Sequence, residues 1–340
     1  MIHPTPLANP GPFGASSVLV TDAHGRDQVL TVIKLGWRAP KGGLPELPGP
    51  AEVRFAAQPY EVKPAAPIQF PSDLAPHKPG TELLLNGHAR HPAAFPDARW
   101  VDVTLAVSGE ALLLKKALRV FGPRVWSGTA SAPVPSEPGR FQDTPLRWEW
   151  AYGGSGPTGA HPRNPIGRGF GAVLGEACHR LQDPRQIAQQ TEYSPVGFGA
   201  ISAHWEPRRS RRGTVQSEGH IDAPYPPSDR DPRHYCSAPD DQWLAAPLAG
   251  DESITVSGVD SVHAWRVELP RLTPELTYVL SGKPHRATPH LDTVLLDADD
   301  DWVELTWRVS FAAPRVLGEL ELLSVEPTAL PERRAVTKAA

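Results

Sequence analysis

Proline constrains this chain more than any other residue. It occupies 40 of the 340 positions, over twice the usual share of about 5%. Its ring fixes φ and removes the backbone donor, so proline is excluded from helix interiors and from central ladder positions of a sheet. So high a count implies many loops and sheet edges and little helix. With 29 glycines added, the two residue types still stay below the roughly 25–30% that marks low-complexity disorder. A chain of this length can also bury a sizeable core.

Between the prolines, hydrophobicity alternates with period two. Val101, Val103, Leu105 and Val107 alternate with Asp102, Thr104, Ala106 and Ser108, the pattern of a strand with one buried face. Ser108-Gly109-Glu110 turns the chain, and 111–121 returns as the partner strand. The C-terminal third repeats this around the acidic run Asp297, Asp299, Asp300 and Asp301, with strands over 293–296 and 302–311. Further strands are expected over 28–35, 51–55, 253–259 and 264–269. The best helix candidate, over 184–193, is short. The expected fold is mainly β: antiparallel sandwich-like or partly barrel-like sheets with long Pro/Gly-rich loops and little helix. The domain is read as 1–325, either single or as two β lobes (about 1–122 and 250–325) joined by a loop-rich middle (123–249), with a tail over 326–340. The middle is irregular but rich in aromatics, which disordered segments lack.

Charge and cysteine content narrow the function classes. The net charge of −4 gives no nucleic-acid footprint. The basic run Arg208, Arg209, Arg211 and Arg212 is read as an exposed loop that meets acidic groups on this protein or a partner. Cys178 and Cys236 cannot build a disulfide framework, which favours a cytoplasmic protein with free thiols. The N-terminus has neither a basic nor an apolar signal region. No apolar stretch approaches the about 18 residues of a membrane span, so no membrane partner is expected.

Catalytic and ligand motifs fail on inspection. Gly153-Gly154-Ser155-Gly156 approaches a nucleophile elbow, but Pro157 stands where the second glycine belongs. Gly167-Arg168-Gly169-Phe170-Gly171 lacks the strand–turn–helix context of a dinucleotide loop, and Gly282-Lys283 runs into Pro284 rather than a phosphate-binding loop. The acidic run lacks calcium-loop spacing and is read as a solvated turn. The pairs His88/His91 and His285/His290 have no second ligand pair, so no metal site is expected. Glu149, Asp240 and Asp241 could supply a glycosidase carboxylate pair only through the tertiary fold. No catalytic residue and no cofactor are therefore expected.

What remains is a run of motifs through the middle third. They read Arg147-Trp148-Glu149-Trp150-Ala151-Tyr152-Gly153-Gly154, then Asn164-Pro165-Ile166-Gly167-Arg168-Gly169-Phe170, then Pro195-Val196-Gly197-Phe198-Gly199-Ala200-Ile201 with Trp205 and Arg208 behind. Trp148 and Trp150 share a face if that segment is extended. Aromatic, arginine and glycine residues side by side suit rigid exposed loops. Further segments are 78–89 (from Lys78-Pro79-Gly80 to His88-Ala89), Gly122-Pro123-Arg124-Val125-Trp126, Ala238-Pro239-Asp240-Asp241-Gln242 and Leu291-Asp292-Thr293-Val294-Leu295 leading to Thr306-Trp307-Arg308. This order, over roughly 15–310, is similar to that of bacterial proteins built on domain of unknown function 2169. The chain departs from them after Phe170 and after Gly213-Thr214, where their usual continuations are absent.

The resemblance implies a non-enzymatic adaptor or chaperone. It would bind a type VI secretion effector protein in the cytoplasm and load it onto the spike or tip protein of the system. Arg147, Trp148, Trp150, Tyr152, Asn164, Arg168, Phe170, Trp205, Arg208, Asp240 and Gln242 are the candidates for partner binding or for fixing the loops. The alternative is a carbohydrate-binding or glycoside-cleaving β protein, suggested by the tryptophans, the loops and the available carboxylates.

Overall fold

Alternation along the strands resolves into two sheets packed face to face. The computed structural model describes residues 7–9, 11–62, 66–189, 192–214, 226–315 and 319–329. The longer strands are β1 (Gly14–Thr21), β2 (Asp27–Arg38), β3 (Thr81–Asn86), β4 (Trp100–Ser108), β5 (Leu112–Phe121), β6 (Ser253–Ser257), β7 (Trp265–Glu268), β8 (Leu272–Leu280), β9 (Lys283–Ala287), β10 (His290–Asp297), β11 (Trp302–Ala312) and β12 (Leu320–Ala329). The large sheet runs Trp243–Leu244, β3, β10, β11, β2, β1, antiparallel except where β3 and β10 lie parallel. The second runs Leu181–Gln182, β5, β4, β6, β7, and is antiparallel throughout. A third sheet pairs Leu7–Ala8, β12, β8 and β9. The protein is mainly β, and none of these sheets closes into a barrel. Both main sheets take strands from early and late in the chain, so the two strand-rich ends interleave.

One face of the large sheet carries Ile33, Leu35, Trp37, Leu83, Leu85, Val303, Leu305 and Trp307. These join Val103, Leu105, Leu118, Ile254 and Val256 of the second sheet in one buried cluster. The expected strands over 28–35, 101–107, 111–121, 253–259, 264–269 and 302–311 are present within a few residues, and the short helix is Pro184–Gln189. Three expectations need correction. Residues 51–55 alternate but form no strand; only Gly49–Pro50 pairs with β2. The tail cannot begin at 326, because β12 stays paired with β8 to Ala329; residues 330–340 lie outside the described part. The acidic turn is not wholly solvated: Asp297 is buried, and Asp299 lies 2.7 Å from His88 Nδ1. Prolines inside strands sit where donors are dispensable. Pro284 is on the edge strand β9, and Pro274 faces Pro327 near the end of the β8–β12 ladder.

The opposite face of the large sheet is charged and still buried. Lys34, Thr306, Thr293 and Glu82 form one cross-strand row over β2, β11, β10 and β3. Lys34 Nζ reaches Asp73 at 2.7 Å and Glu304 at 2.5 Å. Arg54 binds Glu304, Arg308 binds Asp292 and Asp73, and Lys78 binds Glu82. Glu82 also accepts the backbone N–H of Ser237 at 2.5 Å and of Ala238 at 2.9 Å. Residues within 53–62, 66–78, 198–201 and 236–242 thus cover this face, held by the ion pairs of Arg54, Asp73 and Lys78 and by the N–H groups on Glu82. No helix among the described residues is long and apolar enough to cross a membrane.

Burial alone would raise the carboxyl pKa values of Asp73 and Glu82. Lys34 and Arg308 beside Asp73, and Lys78 beside Glu82, overcome that and hold both below the usual range. A folded pKa below the unfolded one gives stability that is present above the unfolded value and lost as pH falls through the folded value. Urea unfolding should therefore show a level free energy above about pH 5 and a fall below about pH 4. Glu82→Gln should cost about 3–5 kcal/mol at neutral pH, because Lys78 loses its buried counter-charge, and should show a shallower acid fall.

Candidate functional site

The motif segments meet at one end of the sandwich. Trp148–Trp150 forms a single 3₁₀ turn. Tyr152–Gly153 then pairs in parallel with Arg168–Gly169, and Ser155–Gly156 pairs with Gly159–Ala160. These backbones approach too closely for side chains. A Cβ on Gly153 (φ 144°) would lie 2.2 Å from the Asn164 carbonyl oxygen, and one on Gly167 2.6 Å from that of Ala151. Asn164 closes the arrangement. It is fully buried, and its Nδ2 donates to the carbonyls of Trp148 and Tyr152, both at 2.9 Å.

A first group of the candidate residues fixes loops from inside. Trp148 is buried, donates its indole N–H to Gly199 O at 3.0 Å, and meets buried Trp205 edge-on at 6.3 Å. Arg208 donates to His234 O at 2.9 Å and to Ile201 O at 2.5 Å, and burial lowers its pKa. Gln242 donates to Leu83 O at 2.7 Å and Phe198 O at 2.9 Å and accepts from Lys116 Nζ at 2.7 Å. Lys116 also donates to Gly197 O at 2.6 Å and Asp241 at 2.8 Å; burial lowers its pKa while Asp241 opposes the shift. Asp240, more exposed, accepts both ends of the Arg211 guanidinium at 2.8 and 2.7 Å. Arg209 pairs with Glu206, so much of the basic run is matched within the chain.

A second group is half-exposed. The 3₁₀ turn advances about 120° per residue, so Trp150 does not share the environment of Trp148, as an extended segment would require. Instead, the guanidiniums of Arg168 and Arg180 lie over its ring at 3.9 and 4.3 Å. Beside this stack Tyr152 contacts His161, His179 and Tyr193, with ring centroids 5.8, 5.4 and 5.6 Å away. Phe170 packs edge-on against His161 at 5.1 Å. Arg147 stands apart, stacked at 3.9 Å on Tyr60 and 4.0 Å from Glu61. A groove of about 590 Å³ runs along this region, lined by Trp126, Gly154, Gly156, Arg168, Phe170 and Glu176 among others.

Burial lowers the His179 pKa to about 3, keeping the ring neutral, and raises the Cys178 thiol to about 11 and the Cys236 thiol to about 12. Both cysteines are free and buried. Trp126, His161, His179, Arg180 and Tyr193 were not among the residues singled out from sequence. Trp126 belongs to a quoted motif and could have been carried over. Arg180 and Tyr193 sit in the polar stretch after Phe170, where neither periodicity nor motif marks them.

Among known proteins, a family model described as an uncharacterized protein conserved in bacteria (DUF2169) matches residues 24–308. No curated protein and no solved structure matches the chain.

Asn164→Ala should remove the side-chain donor from the Tyr152 carbonyl and leave the Trp148 carbonyl with the Ala151 N–H alone, and a buried carbonyl left unpaired costs about 1–3 kcal/mol. The variant should lose at least about that much in urea unfolding. Its near-ultraviolet circular dichroism should change as the packing of Trp148 and Trp150 loosens. An unchanged unfolding midpoint would show that Asn164 does not hold the turn.

Proposed function

The chain belongs to the bacterial DUF2169 family, and from that premise we propose that it is a non-enzymatic adaptor that binds a type VI secretion effector in the cytoplasm and helps load it onto the spike. The secretion role is suggested by the order of its motifs. The observation that carries the binding role is the surface at Trp150. Aromatic and arginine side chains, the residue types enriched at interface hot spots, stand half-exposed there. They rest on a floor of glycine contacts and buried hydrogen bonds. Such a surface is ordered before a partner arrives, which lowers the entropy lost on binding. Holding a client also requires no reactive group.

The carbohydrate-cleaving alternative finds less support. A glycosidase needs one carboxyl kept protonated near neutral pH. Asp240 is instead pulled below the usual carboxylate range by its hydrogen bonds from Arg211, and Asp241 is bound by Lys116.

Co-expression with the proteins encoded beside it should give a complex that co-elutes in gel filtration. A purified protein that binds none of them, but releases reducing sugar from glycans, would sink the adaptor reading. Within the complex, Trp150→Ala should weaken binding about thirtyfold, the effect of losing roughly 2 kcal/mol at an anchor. Arg315→Ala, an exposed charge outside the motif segments, should leave binding unchanged.

A further inference from the structure

We infer that the groove beside Arg168 takes an extended peptide segment of the client and that Arg168 reads a carboxylate side chain in it. This deepens the adaptor reading and rests on it. The groove volume of about 590 Å³ falls within the range of about 300–1,000 Å³ usual for ligand sites. Its base is main chain of Gly154, Gly156, Gly167, Gly169 and Gly171, which pack on one another, and Trp126, Pro157, Arg168, Phe170, Val173 and Glu176 complete the lining.

Among the lining residues Arg168 is the cation and Glu176 the acid. Arg168 lies flat on Trp150 at 3.9 Å, which leaves the in-plane N–H groups of its guanidinium to bind elsewhere. Burial opposes its charge, and Glu149 favours it. Arg180 lies on the same indole outside the groove lining, with the Thr144 hydroxyl at 3.3 Å from its guanidinium. Trp126 lines the groove and is buried, and its Nε1 has no partner among the described residues. A buried or half-buried donor without an acceptor is costly. The complementary occupant therefore brings acceptors, and beside the Arg168 guanidinium the strongest acceptor is a carboxylate.

The rest of the lining defines the class further. Glu176 is exposed in the same lining, which disfavours a polyanion such as a nucleic acid and confines the client's acid to the Arg168 side. Val173 is 53% exposed in the lining and, with Pro157 and Phe170, gives the groove apolar surface. The matching ligand is an acidic residue flanked by apolar ones in extended conformation.

The test is selection of a displayed library of random dodecapeptides on the full-length protein, followed by fluorescence anisotropy with a labelled copy of a selected peptide. Selected sequences should carry Asp or Glu beside apolar residues. Changing that acid to its amide should weaken binding to the unaltered protein at least about tenfold, as loss of a charge-assisted pair does. Arg168→Lys keeps the charge but loses the planar fork and should weaken the acidic peptide while leaving its amide version unaffected. Selected peptides without an acid, or equal affinity for acid and amide, overturn the inference. So does a failure to select any peptide when the protein forms a client complex in gel filtration, and the adaptor reading then stands. Acid-dependent peptide binding with no client complex leaves the groove's chemistry intact and removes the adaptor role.

Discussion

The buried ion layer on the back of the large sheet is the constraint on which the remaining architecture depends. Lys34 and Arg308 point from central strands into a region with no solvent, and each needs counter-charges there. The sheet supplies Glu304 and Asp292, but Asp73 comes from a loop, as do the N–H groups that complete Glu82. Desolvating a charge is so unfavourable that these loops cannot lie anywhere else while the sheet is folded. Such pairs add little net stability compared with an apolar core, so their contribution is better understood as positional. They fix Arg54, Asp73, Lys78 and the backbone of 237–238 against strands far away in sequence. From there the constraint passes onward. Gln242 bonds Leu83 in the large sheet and Phe198 in the covering loop, and receives Lys116 from β5 of the second sheet. The 197–199 segment held in this way accepts the Trp148 indole at Gly199. The turn bearing Trp150 is thus tied to both sheets through buried polar bonds.

Strands with one wet face were legible in the sequence because their alternation reports the difference between the two sides. β4 buries Val101, Val103, Leu105 and Val107 and leaves the residues between them partly exposed. The same logic fails for β3, whose residues are all buried. With both faces covered, Thr-Glu-Leu-Leu-Leu-Asn has no polarity period to detect. It fails in the other direction at 51–55. That segment alternates because it lies extended across a sheet, yet its backbone bonds Asp73 instead of a neighbouring strand: Arg54 N–H donates to the Asp73 carboxylate, and Asp73 N–H donates to Arg54 O. Alternation reports a two-sided environment, and ladder pairing is a separate property that depends on residues distant in sequence.

The candidate site was legible as a region and illegible as a division of labour. Trp148 and Trp150 are two residues apart in the same motif, and Arg168 and Arg208 sit in similar glycine- and aromatic-rich company. Composition cannot say that Trp148 donates to a buried carbonyl while Trp150 lies under two guanidiniums, or that the Arg208 side chain bonds two carbonyls while that of Arg168 lies on an indole. The distinction is made by acceptors brought from other parts of the chain, such as Gly199, Ile201 and His234.

That distinction also determines what the surface can recognise. Arginine is abundant around the site, but most of its charge is spent internally: Arg211 on Asp240, Arg209 on Glu206, Arg233 on Asp231, Arg185 on Asp183. A cation already matched by a fixed carboxylate contributes little new attraction to an incoming group, since the partner must first displace the internal acid. Arg168 and Arg180 differ because their packing partner is an aromatic ring, which orients a guanidinium without neutralising it. The basic run at 208–212 is conspicuous in the sequence yet largely consumed by the fold. The less conspicuous pair at 168 and 180 is packed on the Trp150 ring instead.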